Sequence, residues 1–169
     1  MILRKAEISD IDSILRIIGE AQAQMARLGI DQWQNGYPNR AVIVADIESG
    51  VGLVIDSAED VAAYCAAIFG DEPTYAHIDG GEWLTSGEDY VVVHRLAVAD
   101  RCKRQGVATD FLRRVEIIAR ERGYRSFRID THHDNLYMQS ICSQLGFVRC
   151  GVIYVSDGTP RLAYEKVLR

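Results

Sequence analysis

Leu96-Ala97-Val98-Ala99-Asp100-Arg101-Cys102-Lys103-Arg104-Gln105-Gly106-Val107-Ala108-Thr109 is the stretch on which the fold turns. The apolar run Tyr90 to Val98 ahead of it reads as a buried strand. Behind it, Gly106 to Arg122 carries Ala108, Phe111, Leu112, Val115 and Ile118 on one helical face, and Gly123 stops the helix. A strand thus runs through a basic turn into a helix N-terminus, which is an anion site on physical grounds. The first-turn N–H groups lack intrahelical acceptors, and the helix dipole puts partial positive charge there. Arg101, Lys103 and Arg104 add charge, while Gly106 and Ala108 let a phosphate approach the backbone. A solvated basic turn before an ordinary helix is the competing reading. Two other phosphate motifs are excluded: Gly106 is followed by Val-Ala-Thr rather than Lys-Ser/Thr, and the next glycine is Gly123.

Working outward, Ile2 to Ala6 reads as an opening strand. Ser9 offers an N-cap with Asp12 as a variant capping box, and Ile11, Ile14, Leu15 and Ile18 predict a helix reaching Leu28. Gly29 to Arg40 reads as an irregular loop and Ala41 to Glu48 as a short helix. Gly52 to Ile55 and Val61 to Phe69 form a hairpin signal. Gly70 to Asp89 is polar and reads as a long loop. Ser126 to Thr131 is a strand and Asn135 to Leu145 a helix, with Met138, Ile141, Cys142 and Leu145 inward. Phe147 to Val155 and Arg161 to Val167 are strands around the turn Asp157-Gly158-Thr159-Pro160. The order β-α-α-β-β-β-α-β-α-β-β predicts a mixed sheet with helices on both faces, in a single domain over residues 1–169.

The bulk composition narrows the classes. The chain of 169 residues is 48% hydrophobic and 25% charged, the profile of a soluble globular protein. Its 19 basic against 24 acidic side chains give a charge of −5, which argues against nucleic-acid binding. Nothing resembles a signal peptide and no apolar run is long enough for a membrane span, so a cytoplasmic protein is expected. Cys65, Cys102, Cys142 and Cys150 form no C-x-x-C pair and read as buried free thiols. The chain has no H-E-x-x-H or Cys-rich spacing, and no metal is expected. Oligomeric state is not legible.

Lys103-Arg104-Gln105-Gly106-Val107-Ala108 resembles the R/Q-x-x-G-x-G/A turn of the GNAT acetyltransferases, which wraps the pyrophosphate of CoA; Lys103 stands where Arg or Gln is usual. Leu96-Ala97-Val98 resembles the strand before that turn, and Asn135 with Leu145-Gly146-Phe147 resembles the family's strand-Asn-helix-GF segment. The opening Leu3 to Asp12 also looks like the family's first strand and helix, so the resemblance spans nearly the whole chain. It implies a GNAT-type α/β fold, with a mostly antiparallel mixed sheet flanked by helices on both faces. It further implies acetyl-CoA as cofactor and direct acetyl transfer to a primary amine of a small molecule or peptide. On that resemblance Leu96, Ala97 and Val98, the turn residues Lys103, Arg104, Gln105, Gly106, Val107, Ala108 and Thr109, and Asn135, Met138 and Cys142 line the cofactor. A non-catalytic CoA-binding or regulatory module is the alternative. The family often places a Tyr where this chain has Cys142, which leaves the group that protonates the thiolate open. Tyr154 could reach inward, whereas Tyr137 is rotated away from Cys142 on the same helix.

Acyl transfer to an amine needs a proton acceptor, donors for the oxyanion, and a proton for the thiolate. An amine with a pKa of about 10.4 is neutral in only roughly one molecule in 2,500 at pH 7, so a base helps. The candidates are His94, Asp130 and His132. Strand parity puts His94 on the side of Leu96 and Val98, while a core histidine bonded to a carbonyl is the competing reading. Asp130 lies five residues before Asn135, where some N-terminal-amine acetyltransferases carry a Glu base; an ion pair with Arg95 or Arg128 competes. His132 sits at the strand exit. On the substrate side the resemblance points to Trp33, Tyr37, Tyr75 and Trp83. The loop around the last two is acidic, through Asp71, Glu72, Asp79, Glu82, Glu88 and Asp89, and suits a cationic amine. A solvated polar loop is the competing reading.

Overall fold

A computed structural model describes residues 1–87 and 89–168; Glu88, one of the acidic loop residues above, and Arg169 lie outside the described residues. The elements follow in the expected order. They are β1 (Ile2–Lys5), α1 (Ile11–Arg27), α2 (Arg40–Glu48), β2 (Gly52–Asp56), β3 (Val61–Phe69), β4 (Tyr90–Val98), α3 (Val107–Glu121), β5 (Ser126–Thr131), α4 (Leu136–Gln144), β6 (Val148–Tyr154) and β7 (Pro160–Val167). Among the described residues the strands form a seven-stranded mixed sheet in the order β1-β2-β3-β4-β5-β7-β6. Strands β4 and β5 pair parallel, with Val91 opposite Phe127. The chain condenses into two compact units: Met1–Ala67 with Arg95–Arg114, and Ile68–His94 with the residues from Val115 on.

In the first unit β1, β2 and β3 pair antiparallel, with Leu3 opposite Ile55 and Val54 opposite Tyr64. Helix α1 buries Ile11, Ile14, Ile17, Ile18 and Ala21, one apolar stripe at 3.6-residue spacing. Full burial of each isoleucine is worth about 1.5–3 kcal/mol. The start of α1 differs from the expected Ser9 cap. A 3₁₀ turn, Ile8–Asp10, comes first, and Glu7 and Asp10 form the capping box there. Asp10 is drawn into that role by Arg4, whose guanidinium donates to both its oxygens at 2.8 and 2.9 Å.

In the second unit β7 lies between β5 and β6, antiparallel to both, with Asp130 opposite Ala163 and Val152 opposite Leu162. The described residues of the segment 70–89 form a long, mostly exposed loop, as expected, but it is anchored to the sheet. It contains a 3₁₀ turn, Pro73–Tyr75, and Asp79 exchanges both backbone hydrogen bonds with Val152 of β6 at 2.8 and 2.9 Å. Gly81 passes so close to this strand that an added Cβ would lie 1.9 Å from the Cys150 carbonyl. Tyr75, Tyr90, Val92, Ile153 and Ala163 make a buried cluster against which Trp83 packs.

Candidate active site

Two groups of candidate residues are found, one in each unit. In the first unit β4 ends at Val98 and a 3₁₀ turn, Asp100–Cys102, leads to the basic turn. Asp110 donates its N–H to the Gly106 carbonyl at 2.9 Å, so α3 starts at the glycine. Gly106 has φ +76, and nothing lies within 4 Å of where its Cβ would be. Arg104 is also left-handed, with φ 61.

The basic side chains of the turn are not equivalent. Arg101 donates to the carbonyls of Asp60 and Val61 at 3.0 and 3.1 Å. Lys103 is held by Gln24 and Asp100, and Gln105 donates to the Arg101 carbonyl at 2.9 Å. Arg104 is exposed and, among the described residues, makes no hydrogen bond or ion pair. Val107 and Ala108 are buried, Thr109 half-buried. The open glycine, a helix N-terminus and a free guanidinium fit a phosphate diester.

The second group is centred on His94. Its Nε2 lies 2.9 Å from Glu72 Oε2, and its Nδ1 lies 3.8 Å from Asp130 Oδ2. Tyr75 donates its hydroxyl to the same Asp130 oxygen at 2.7 Å. The other Glu72 oxygen accepts from the Thr74 N–H at 3.3 Å and the Thr74 hydroxyl at 2.9 Å. Burial raises the Glu72 carboxyl, but its hydrogen bond and charge interaction with His94, together with Thr74, outweigh that and hold it at about 2. Burial, then the Asp130 charge, push the Tyr75 phenol well above its ordinary value. His94 is the most open of the three titratable groups, at 20% side-chain exposure against 12% for Glu72 and 9% for Asp130.

The expected competitors for these residues resolve differently. Arg95 forms a two-pronged ion pair with Asp46 at 2.8 and 2.7 Å. Arg128 pairs with Glu165 at 3.0 Å. Asp130 is bonded instead to Tyr75. The parity argument for His94 also changes, because Arg95 has φ 57. A left-handed residue inside a strand marks a bulge and breaks the alternation that would tie His94 to Leu96 and Val98.

The acetyltransferase (GNAT) family model matches residues 18–147. The chain belongs to the GNAT acetyltransferase family. It is 37% identical to a GNAT-family acetyltransferase from Streptococcus agalactiae 2603, with a TM-score of 0.89, covering 99% of this chain and 95% of that one. An N-acetyltransferase from Staphylococcus aureus Mu50 shares the fold at 18% identity and a TM-score of 0.72, covering 99% and 98%. A GNAT-family acetyltransferase from Listeria monocytogenes 4b F2365 does so at 16% and 0.73, covering 99% and 94%. A search of curated protein sequences finds no match.

In this acetyltransferase Asn135 caps α4, its Oδ1 accepting from the Met138 N–H at 3.1 Å. Cys142 is buried, and burial, then the Asp130 charge, raise its thiol to about 12, so it stays protonated near neutrality. Neither alternative tyrosine is turned into the interior: Tyr137 and Tyr154 are both exposed. His132 is buried, and its Nδ1 accepts from the Asp134 N–H at 3.1 Å. Among the described residues His132, His133 and Asp134 form a cluster of potential metal-ligand groups.

The four residues expected on the substrate side divide. Tyr37 is exposed and its hydroxyl accepts from Arg95 at 2.7 Å; Trp33 is half-buried with φ 61. Tyr75 is buried beneath Asp130 rather than on a rim. Trp83 donates to the Tyr75 carbonyl at 3.0 Å and stacks under Arg128 at 4.3 Å. Glu72 was expected only as part of an acidic rim. The signal for its role is Glu72-Pro73: proline confines the preceding residue to extended backbone, and Glu72, at φ −119 and ψ 107, caps the turn that follows.

Proposed function

We propose that this chain is an acetyl-CoA-dependent N-acetyltransferase, a single catalytic domain transferring acetyl directly to a primary amine of a small molecule or peptide. The observation that carries the reading is the turn at the head of α3. Gly106 is open and left-handed, and Arg104, beside a helix N-terminus, is unpaired among the described residues. Lys103 to Thr109 would hold the pyrophosphate, with Asn135 on the pantetheine arm. Bound acetyl-CoA supplies the activated thioester. The four cysteines are free and buried, which fits a cytoplasmic enzyme. No helix among the described residues is long and apolar enough to cross a membrane.

His94 takes the proton from the acceptor amine. It is the most open member of its cluster, with the Glu72 and Asp130 carboxylates beside it. Their negative charge also suits an amine arriving as a cation. Asp130, bonded to Tyr75, is the second candidate and sits close enough to share the task. Cys142 carries no acetyl group, because a buried neutral thiol is a poor nucleophile.

The test is thiol release from acetyl-CoA against a panel of primary amines, with the N-acetyl product identified by mass spectrometry. His94→Ala should lower kcat by about 10²–10⁴-fold and remove the acidic limb of the pH–rate profile, with CoA affinity near normal. Asp130→Asn should do less. CoA binding without thiol release for any amine would replace this reading with a non-catalytic CoA-binding module.

A further inference from the structure

We propose that Glu72 is a positioning residue: its carboxylate accepts the Nε2–H of His94 and leaves Nδ1, facing Asp130, as the nitrogen that takes the amine proton. The proposal rests on the reading of His94 as the base and names the group that orients it. An imidazole has two nitrogens, and which one carries hydrogen is set by the partner of the other. Glu72 is confined to the accepting role. Its second oxygen already accepts two hydrogen bonds from Thr74, as an ionised carboxylate does, and an ionised carboxylate can only accept from His94 as well.

Glu72 is itself fixed. Its backbone N–H donates to the Tyr90 hydroxyl at 3.0 Å, and Pro73 holds it extended. Among the described residues, the groups that face His94 are Glu72 and Tyr75 from the segment 70–89 and Asp130 from β5. Tyr75 meets the ring by its edge, with centroids 6.1 Å apart, and gives its hydroxyl to Asp130. Glu72 is therefore the group hydrogen-bonded to the Nε2 side. With that hydrogen held, neutral His94 turns its lone pair toward Asp130 Oδ2, 3.8 Å away. The arrangement gives the base a defined proton-accepting atom without using Asp130 to hold it.

The experiment reads the tautomer directly. Long-range ¹H–¹⁵N correlation spectra of the full chain, with the His94 signals assigned by their loss in His94→Gln, should show the Nε2–H form. Glu72→Ala should convert it to a mixture, and Glu72→Gln, whose amide oxygen still accepts, should keep it. Segment 70–89 retains its other anchors in both variants, Asp79 on Val152 and Leu84 and Thr85 on Glu165. In turnover, Glu72→Ala should lose about tenfold or more in kcat, a share of the base's own contribution, with CoA affinity unchanged. Glu72→Gln should recover part of the loss. An Nδ1–H tautomer in the parent, or a Glu72→Ala protein with the parent's tautomer and rate, overturns the proposal. If His94→Gln keeps the full rate, the base reading falls, and the tautomer spectra alone decide whether Glu72 holds the ring.

Discussion

Replacing Arg128 by Met should be among the most destabilising single changes in this protein. Arg128 and Glu165 are 4% and 0% exposed, and the pair is 3.0 Å long. The arginine also lies over the faces of Tyr90 and Trp83, at 3.9 and 4.3 Å. Glu165 collects the Leu84 N–H, the Thr85 N–H and the Thr85 hydroxyl, and Arg128 gives a further bond to the Thr85 carbonyl at 2.8 Å. Methionine fills similar volume but strands a buried carboxylate, which costs about 3–5 kcal/mol. At about 2–4 °C per kcal/mol for a chain of this size, Tm should fall by about 6–20 °C. The assay is thermal and urea unfolding followed by circular dichroism. Arg128→Met/Glu165→Gln removes both charges and keeps an acceptor for Leu84, so it should be less destabilised than Arg128→Met alone. Burial raises the Glu165 carboxyl, but its hydrogen bonds and Arg128 lower it further, below the ordinary 4.5. The stabilisation is therefore present above that value and lost as pH falls beneath it, so parent and Arg128→Met should converge in acid. A loss under about 1 kcal/mol, or strictly additive effects in the pair, would refute the reasoning.

The remaining expectations concern cofactor and thiol. CoA should raise the Tm of the parent by mass action, and Gly106→Glu should abolish the shift by putting bulk and negative charge where phosphate binds; an undiminished shift would mean the turn does not hold CoA. Cys142→Ala should keep most of the activity, since a thiol raised to about 12 is not poised for attack. Loss of turnover in folded Cys142→Ala, with an acetylated cysteine trapped in the parent, would contradict direct transfer.

What was legible in the sequence was whatever repeats locally. Helices α1 and α3 announce themselves through isoleucine and leucine at helical spacing, and the turn at Gly106 through the residue types a phosphate requires. The segment 70–89 did not, because its order comes from residues far along the chain. Leu84 is held by Glu165 and Asp79 by Val152, and no local periodicity encodes either contact. Its polarity does report exposure, since of its described residues only Tyr75 is buried, but not the long-range pairing that anchors it. His94 and Asp130 could be singled out as titratable residues on buried strands, but Glu72 lay in that same segment, and its partner is 22 residues away. The start of α1 went astray for a related reason. Ser9 is a good cap by type, but Arg4 and Asp56 make the end of β1 a place for Asp10.

Arg95 carries the same lesson into the site. A non-glycine residue with φ 57 costs of order 1–3 kcal/mol and persists only where its surroundings over-determine it. Here the surroundings are a carboxylate fork. Asp46 takes the guanidinium on both oxygens, Tyr64 donates to Asp46, and the Arg95 fork reaches the Tyr37 hydroxyl. Lysine could not reproduce this, because a single ammonium lacks the planar pair of donors. The strand is thereby reset between His94 and Leu96. Strict alternation would have given the residues on either side of Arg95 one common face, but the bulge releases them from it. His94 can then be oriented by Glu72, while Leu96 to Val98 run on into the turn.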